Sequence, residues 1–101
     1  MDNVVIKENF SLTSAGKCFR GDCIPLPGST ILVIQGEGGM LGCGYLSVET
    51  ADKLGHALAV VTGVANYDDM LAAKVVRVSK AAAAKGVKPG MSGKEALLKM
   101  N

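Results

Sequence analysis

At 101 residues the chain suits one domain built round one core, small enough that oligomerisation would help it bury surface. Its content of 49% hydrophobic and 20% charged residues excludes an intrinsically disordered polypeptide. The net charge of +2 conceals an asymmetry: residues 1–73 carry four basic and eight acidic side chains, whereas residues 74–101 carry seven basic ones against Glu95 alone. A basic end invites an anionic partner, or faces the acidic half of the same molecule or of a neighbouring subunit.

Residues 1–24 read as an N-terminal β segment. Val4 to Leu12 mixes β-branched and aromatic positions, and Ser14-Ala-Gly16 supplies a turn before Lys17 to Ile24. The run Pro25-Leu-Pro27-Gly28-Ser29 breaks the pattern, since neither proline can donate to a ladder, and separates this arm from an α/β core over residues 30–101. Ile31 to Gln35 is an apolar strand. Gly36-Glu-Gly-Gly39 can take the positive φ angles of a hairpin turn, returning as a strand from Met40 to Leu46. In that strand Met40, Gly42, Gly44 and Leu46 share one face, and Gly42 and Gly44 leave a smooth strip for a helix, a subunit or a ligand.

Ser47 is the expected N-cap of a short helix that Gly55 ends, with Ala51, Leu54 and Leu58 on one face. Leu58 to Val64 follows as a strand, Asn66 caps a second helix, and Lys74 to Val78 is a valine-rich strand. Ser79 caps a helix over Lys80 to Lys85. Ser92 and Glu95 form a capping box that opens the last helix, with Met91 stapled onto Ala96. Strands alternating with short helices argue for a mixed α/β sheet of five or so strands.

The longest uncharged apolar stretch, Ala57 to Ala65, is far too short to span a bilayer. The N-terminus, MDNVVIKENF, lacks the basic-then-apolar layout of a signal peptide, and three cysteines fit reduced thiols better than a disulfide framework. A cytoplasmic protein is expected, with no membrane partner.

Few residues point to chemistry. Cys43 lies between two glycines, and Asp52 and His56 follow four residues apart, so a Cys–His pair oriented by a carboxylate is one candidate nucleophile constellation. Gly90, Ser92, Gly93 and Lys94 gather backbone N–H groups, a hydroxyl and an ammonium at a helix N-terminus, a candidate site for a small anionic metabolite. Against it, the capping box takes up donors there and Glu95 repels an anion. Gly36-x-Gly38 followed by Gly42 misses the dinucleotide spacing by one residue, and Gly93-Lys94 lacks both the first glycine and the hydroxyl of a phosphate loop. Cys18, Cys23, Cys43 and His56 lack the spacing of a structural zinc site, so no metal and no cofactor is expected. Residues 74–101 hold no aromatic to stack on bases, which argues against nucleic acid.

The run GYLSVETADKLGHALAVVTGV (44–64), the spacing to Asp69-Met70-Leu71 and Val78-Ser79, and the ending Gly90-Met91-Ser92-Gly93-x-x-Ala96-Leu97 resemble the YunC-like family. This is a small bacterial and archaeal family of domains of unknown function, and the resemblance covers roughly residues 25–100. It implies a compact α/β domain whose N-terminal β region takes part in oligomer assembly, a tetramer. It brings no established catalytic or binding residues. The expectation is therefore a small homo-oligomeric α/β protein, a non-enzymatic assembly or small-anion-binding module, with a small enzyme using Cys43 and His56 as the alternative.

Overall fold

The computed structural model describes residues 9–11 and 18–101. Their strands form one sheet in which spatial order follows chain order: β1 (Asn9–Ser11), β2 (Cys18–Leu26), β3 (Ser29–Gln35), β4 (Met40–Gly42), β5 (Leu58–Val60) and β6 (Arg77–Val78). Every neighbouring pair is antiparallel except β4–β5, which is parallel. The parallel pair requires a crossover, supplied by α1 (Val48–Leu54). The remaining helices are α2 (Tyr67–Ala72), α3 (Lys80–Ala84) and α4 (Gly93–Met100). The sheet is mixed, as the alternation of elements predicts, and the class is α+β.

The proline run is a turn, not a boundary. β2 continues through Pro25 to Leu26 and pairs residue for residue with β3, from Arg20 opposite Gln35 to Leu26 opposite Ser29. Gly28, at φ +76°, closes the hairpin. Pro25 is tolerated because β1 pairs only with Cys18–Arg20, so β2 has a single flanking strand at that level among the described residues. The expected strand over Val4 to Leu12 is described only at β1, and the Ser14–Gly16 turn lies outside the described residues.

Three strands are shorter than expected. The strand from Met40 stops at Gly42, where Leu46 N–H turns back to the Cys43 carbonyl at 3.0 Å. β5 stops at Val60, and the valine run from Lys74 is strand only at Arg77–Val78, with Lys74 in an isolated bridge to Ser92. The glycines of the β3–β4 turn have negative φ, contrary to expectation. They are needed for close approach: a Cβ on Gly36 would overlap the Asn101 side chain, and one on Gly38 the Met100 carbonyl oxygen. Asn101 fastens that turn, accepting from Gly38 N–H at 2.6 Å and donating to the Gly39 and Leu97 carbonyls.

The caps fall where the sequence puts them. The side-chain oxygens of Ser47, Asn66, Ser79 and Ser92 each accept a backbone N–H of their own helix's first turn. Gly55 ends α1 at φ +73°. One consequence is that His56 lies beyond the helix, so it is not a helical neighbour of Asp52. Leu54 is 63% exposed and does not share the buried face of Ala51.

The two sheet faces are covered unequally. One carries Phe19, Leu32, Ile34, Leu41, Ala59 and Val61, buried under Met70 of α2, Ala82 of α3 and Ala96, Leu97 and Met100 of α4. The other buries Leu58 and Val60 under Ala51 of α1, with Met40, Leu46 and Val48 packed around them. On this second face the β2–β3 hairpin shows Arg20, Asp22 and Ile24, with Gln35, Val33 and Ile31 as their respective cross-strand partners. Ile24 is 51% exposed.

Candidate functional site

α1 leaves β4 towards one sheet face, and α2 leaves β5 towards the other. Because β4 and β5 are parallel, both departures occur at the same end of the sheet. The chain divides there and leaves a crevice at the carboxyl ends of the two strands, where open α/β sheets characteristically hold ligands. In this protein it is an open depression of about 390 Å³. Ser29 and Thr30, at the start of β3, form one wall; Cys43, Gly44 and Tyr45 leave β4 on another. Thr62, Gly63 and Val64 leave β5 on the third.

The lining is neutral and rich in donors. It holds four hydroxyls (Ser29, Thr30, Tyr45, Thr62), one thiol and no carboxylate. Cys43 is 5% exposed, and its sulfur accepts Leu32 N–H at 3.3 Å, which locks the thiol against β3. Gly63, at φ +71°, turns the post-β5 loop in a conformation other residues rarely adopt.

The expected catalytic trio is not gathered here. His56 is exposed and lines two other depressions, one beside α1 and one beside the β3–β4 turn. Asp52 accepts Lys80 N–H at 2.7 Å, so its carboxylate sits at the N-terminus of α3. No three His, Cys, Asp or Glu side chains come together as a metal-ligating group among the described residues. Cys43 should behave as an enclosed thiol. In a timed alkylation of the native protein near neutral pH, Cys43 is expected to label only at the rate of local opening, well after the half-buried Cys23. Rapid labelling of Cys43 would show an activated thiolate instead.

The glycine strip and the last helix also have occupants. A Cβ on Gly42 would collide with Leu46, so the chain's own turn covers that glycine, whereas Gly44 is exposed in the crevice wall. At the N-terminus of α4, Gly93 N–H donates to the Ala73 carbonyl at 2.8 Å, Glu95 N–H to Ser92 Oγ at 3.1 Å and Ala96 N–H to the Ser92 carbonyl at 3.0 Å. Gly90 N–H is held by the Val75 carbonyl at 2.8 Å. Lys94 is exposed.

Sequence reading singled out Gly44 and Cys43 of the crevice and passed over Thr30, Thr62 and Gly63. A local signal for them exists in retrospect: both apolar strands of the parallel pair end within two or three residues of a glycine, Gly44 and Gly63.

Comparison with known proteins bears on the whole chain. A family model described as a domain of unknown function (DUF1805) matches residues 42–100. The uncharacterized protein YunC of Bacillus subtilis (strain 168) is 35% identical over 89 residues, which cover 84% of this chain and 88% of that protein. The crystal structure of a protein of unknown function, TA1206 from Thermoplasma acidophilum, superposes with a TM-score of 0.86 at 32% identity, covering 98% of this chain and 100% of that one. No helix among the described residues is long and apolar enough to cross a membrane. With a matching family model over most of its length and a relative of this closeness, the chain belongs to the YunC-like DUF1805 family of domains of unknown function.

Proposed function

We propose that the protein is a non-enzymatic assembly module whose subunits join through the uncovered face of the β2–β3 hairpin. The observation that carries this reading is the exposure of Ile24 on a sheet face whose neighbouring strands are buried beneath α1. Ile24 and the half-buried Val33 stand on one sheet face beside ordered polar groups, the layout of an apolar interface centre with a polar rim. The rim here is a small network: Arg20 reaches Asp22 Oδ1 at 3.2 Å, and Gln35 donates to Asp22 Oδ2 at 3.3 Å. A cation and an anion side by side are complementary to themselves under a two-fold axis, so the partner this face fits is a second copy of the chain. The charge asymmetry supports the same reading. Lys74, Arg77, Lys80, Lys85, Lys88, Lys94 and Lys99 are all exposed, and no carboxylate of the described residues pairs with them.

Ile24→Glu is the test, read by native mass spectrometry against Val76→Glu, which places a charge at another exposed apolar position. Ile24→Glu should lower the oligomeric state while Val76→Glu leaves it at the wild-type value. A monomeric wild type, or an Ile24→Glu variant that assembles as the wild type does, would sink the proposal.

A further inference from the structure

We propose that the crevice at the carboxyl ends of β4 and β5 binds the oxyanion group, phosphate or carboxylate, of a small metabolite. This goes beyond self-assembly and rests on different residues. Two observations lead to it independently.

The first is topological. The crevice exists because the connections leaving the two parallel strands diverge to opposite faces of the sheet, and at about 390 Å³ it has room for an organic portion besides the anionic group. The second is an account of donors. Gly44 and Tyr45 on one loop, and Thr62, Gly63 and Val64 on the other, have backbone N–H groups with no acceptor among the described residues. The hydroxyls of Thr30 and Thr62, which line the crevice, likewise have no hydrogen-bond partner among the described residues. Successive N–H groups round a left-handed glycine make an anion-binding concavity, and Gly63 at φ +71° stands in the middle of the Thr62–Val64 run. No aspartate or glutamate lines the crevice to oppose an anion.

The competing place is the N-terminus of α4, and the same account weighs against it. The N–H groups of Gly90, Gly93, Glu95 and Ala96 are already taken by acceptors of the chain, and Glu95 carries its negative charge into the first turn. Donors engaged in the fold cannot bind a ligand without breaking it; those of the crevice can.

The experiment is a titration of the ¹⁵N-labelled full chain with potassium phosphate and, separately, potassium acetate, each against potassium chloride at matched ionic strength. The glycine amides of Gly44 and Gly63 should shift saturably. A response to phosphate alone assigns a phosphorylated metabolite, and a response to acetate alone a carboxylate one. A response to both assigns the shared oxyanion chemistry. Thr62→Val, at an exposed position where the fold does not need the hydroxyl, should weaken the effective anion about tenfold, the loss expected for a hydrogen bond to a charged group. Its unfolding midpoint in chloride should match the wild type. Unmoved Gly44 and Gly63 amides in both titrations, shifts confined to residues 90–94, or unchanged affinity in Thr62→Val would each overturn the assignment.

Discussion

Gly93→Ala should destabilise the protein by about 3 kcal/mol, lowering its melting temperature on the order of 15 °C. Two effects of opposite sign meet at this residue. Gly93 opens α4, and in an isolated helix alanine would be favoured over glycine by up to about 1 kcal/mol. Against that, a Cβ at Gly93 would overlap the Met70 carbonyl oxygen and come within 2.9 Å of Leu41 Cδ2. The Met70 oxygen is backbone and cannot rotate away, so α4 would have to move off α2 and lose the Gly93 N–H bond to Ala73. Overpacking of this kind costs about 1–3 kcal/mol, and the broken hydrogen bond adds about 1 more, which outweighs the propensity gain. Gly42→Ala is the internal comparison. The atoms nearest its Cβ belong to the Leu46 side chain, first of all to its flexible end and not to backbone, so the loss should be smaller. Equilibrium urea unfolding of both variants checks the order. A Gly93→Ala protein as stable as the wild type would show that α4 does not approach α2 so closely.

Ser79→Ala should be comparably costly, again about 3 kcal/mol, although it removes one oxygen atom and adds no bulk. Ser79 is 0% exposed. Its hydroxyl caps α3 by accepting Ala82 N–H at 3.3 Å, accepts Leu58 N–H at 2.9 Å and donates to the His56 carbonyl at 2.8 Å. One donor and two acceptor positions are thus all used. Alanine would leave three groups without this partner, the Leu58 and Ala82 N–H groups in a buried place and the His56 carbonyl in a part-buried one, and each unmet buried group costs about 1–3 kcal/mol. A cap alone would lose about 1 kcal/mol, so the magnitude separates the two roles. Hydrogen exchange gives a second readout: the Leu58 amide should exchange faster in Ser79→Ala even under conditions that leave the global fold intact. A loss no larger than that of an exposed cap would mean that the bonds to Leu58 and His56 contribute nothing.

These two residues mark where local sequence patterns cease to be informative. All four side-chain caps were legible, because a cap is decided by three or four consecutive residues. So were the Gly55 terminus and the Ile31–Gln35 strand. The second role of Ser79 was not, because Leu58 lies 21 positions away and only the β5–β6 register brings it near. The close approaches at Gly36, Gly38 and Gly93 were hidden for the same reason: a glycine required by a distant neighbour looks identical to one required by φ. The premature ends of β4 and β5 follow from turns at Gly44 and Gly63 that interrupt apolar runs without proline or charge. The crevice draws on residues 29–30, 43–45 and 62–64, three segments that only the sheet unites. Its thiol was visible in the sequence, but the locking bond from Leu32 was not.

The sheet order, which never departs from chain order, has a kinetic consequence. From β1 to β4 each strand can pair with its predecessor by closing a short hairpin, so little chain entropy opposes these steps. The β4–β5 pairing must wait for the α1 crossover. Asn101 then joins the β3–β4 turn across a sequence separation of 63 residues. A chain built this way is expected to refold by sequential growth from the β2–β3 hairpin, with the Asn101 bonds closing last. The C-terminal fastening should therefore govern how quickly the protein opens, while leaving the speed at which it forms almost untouched.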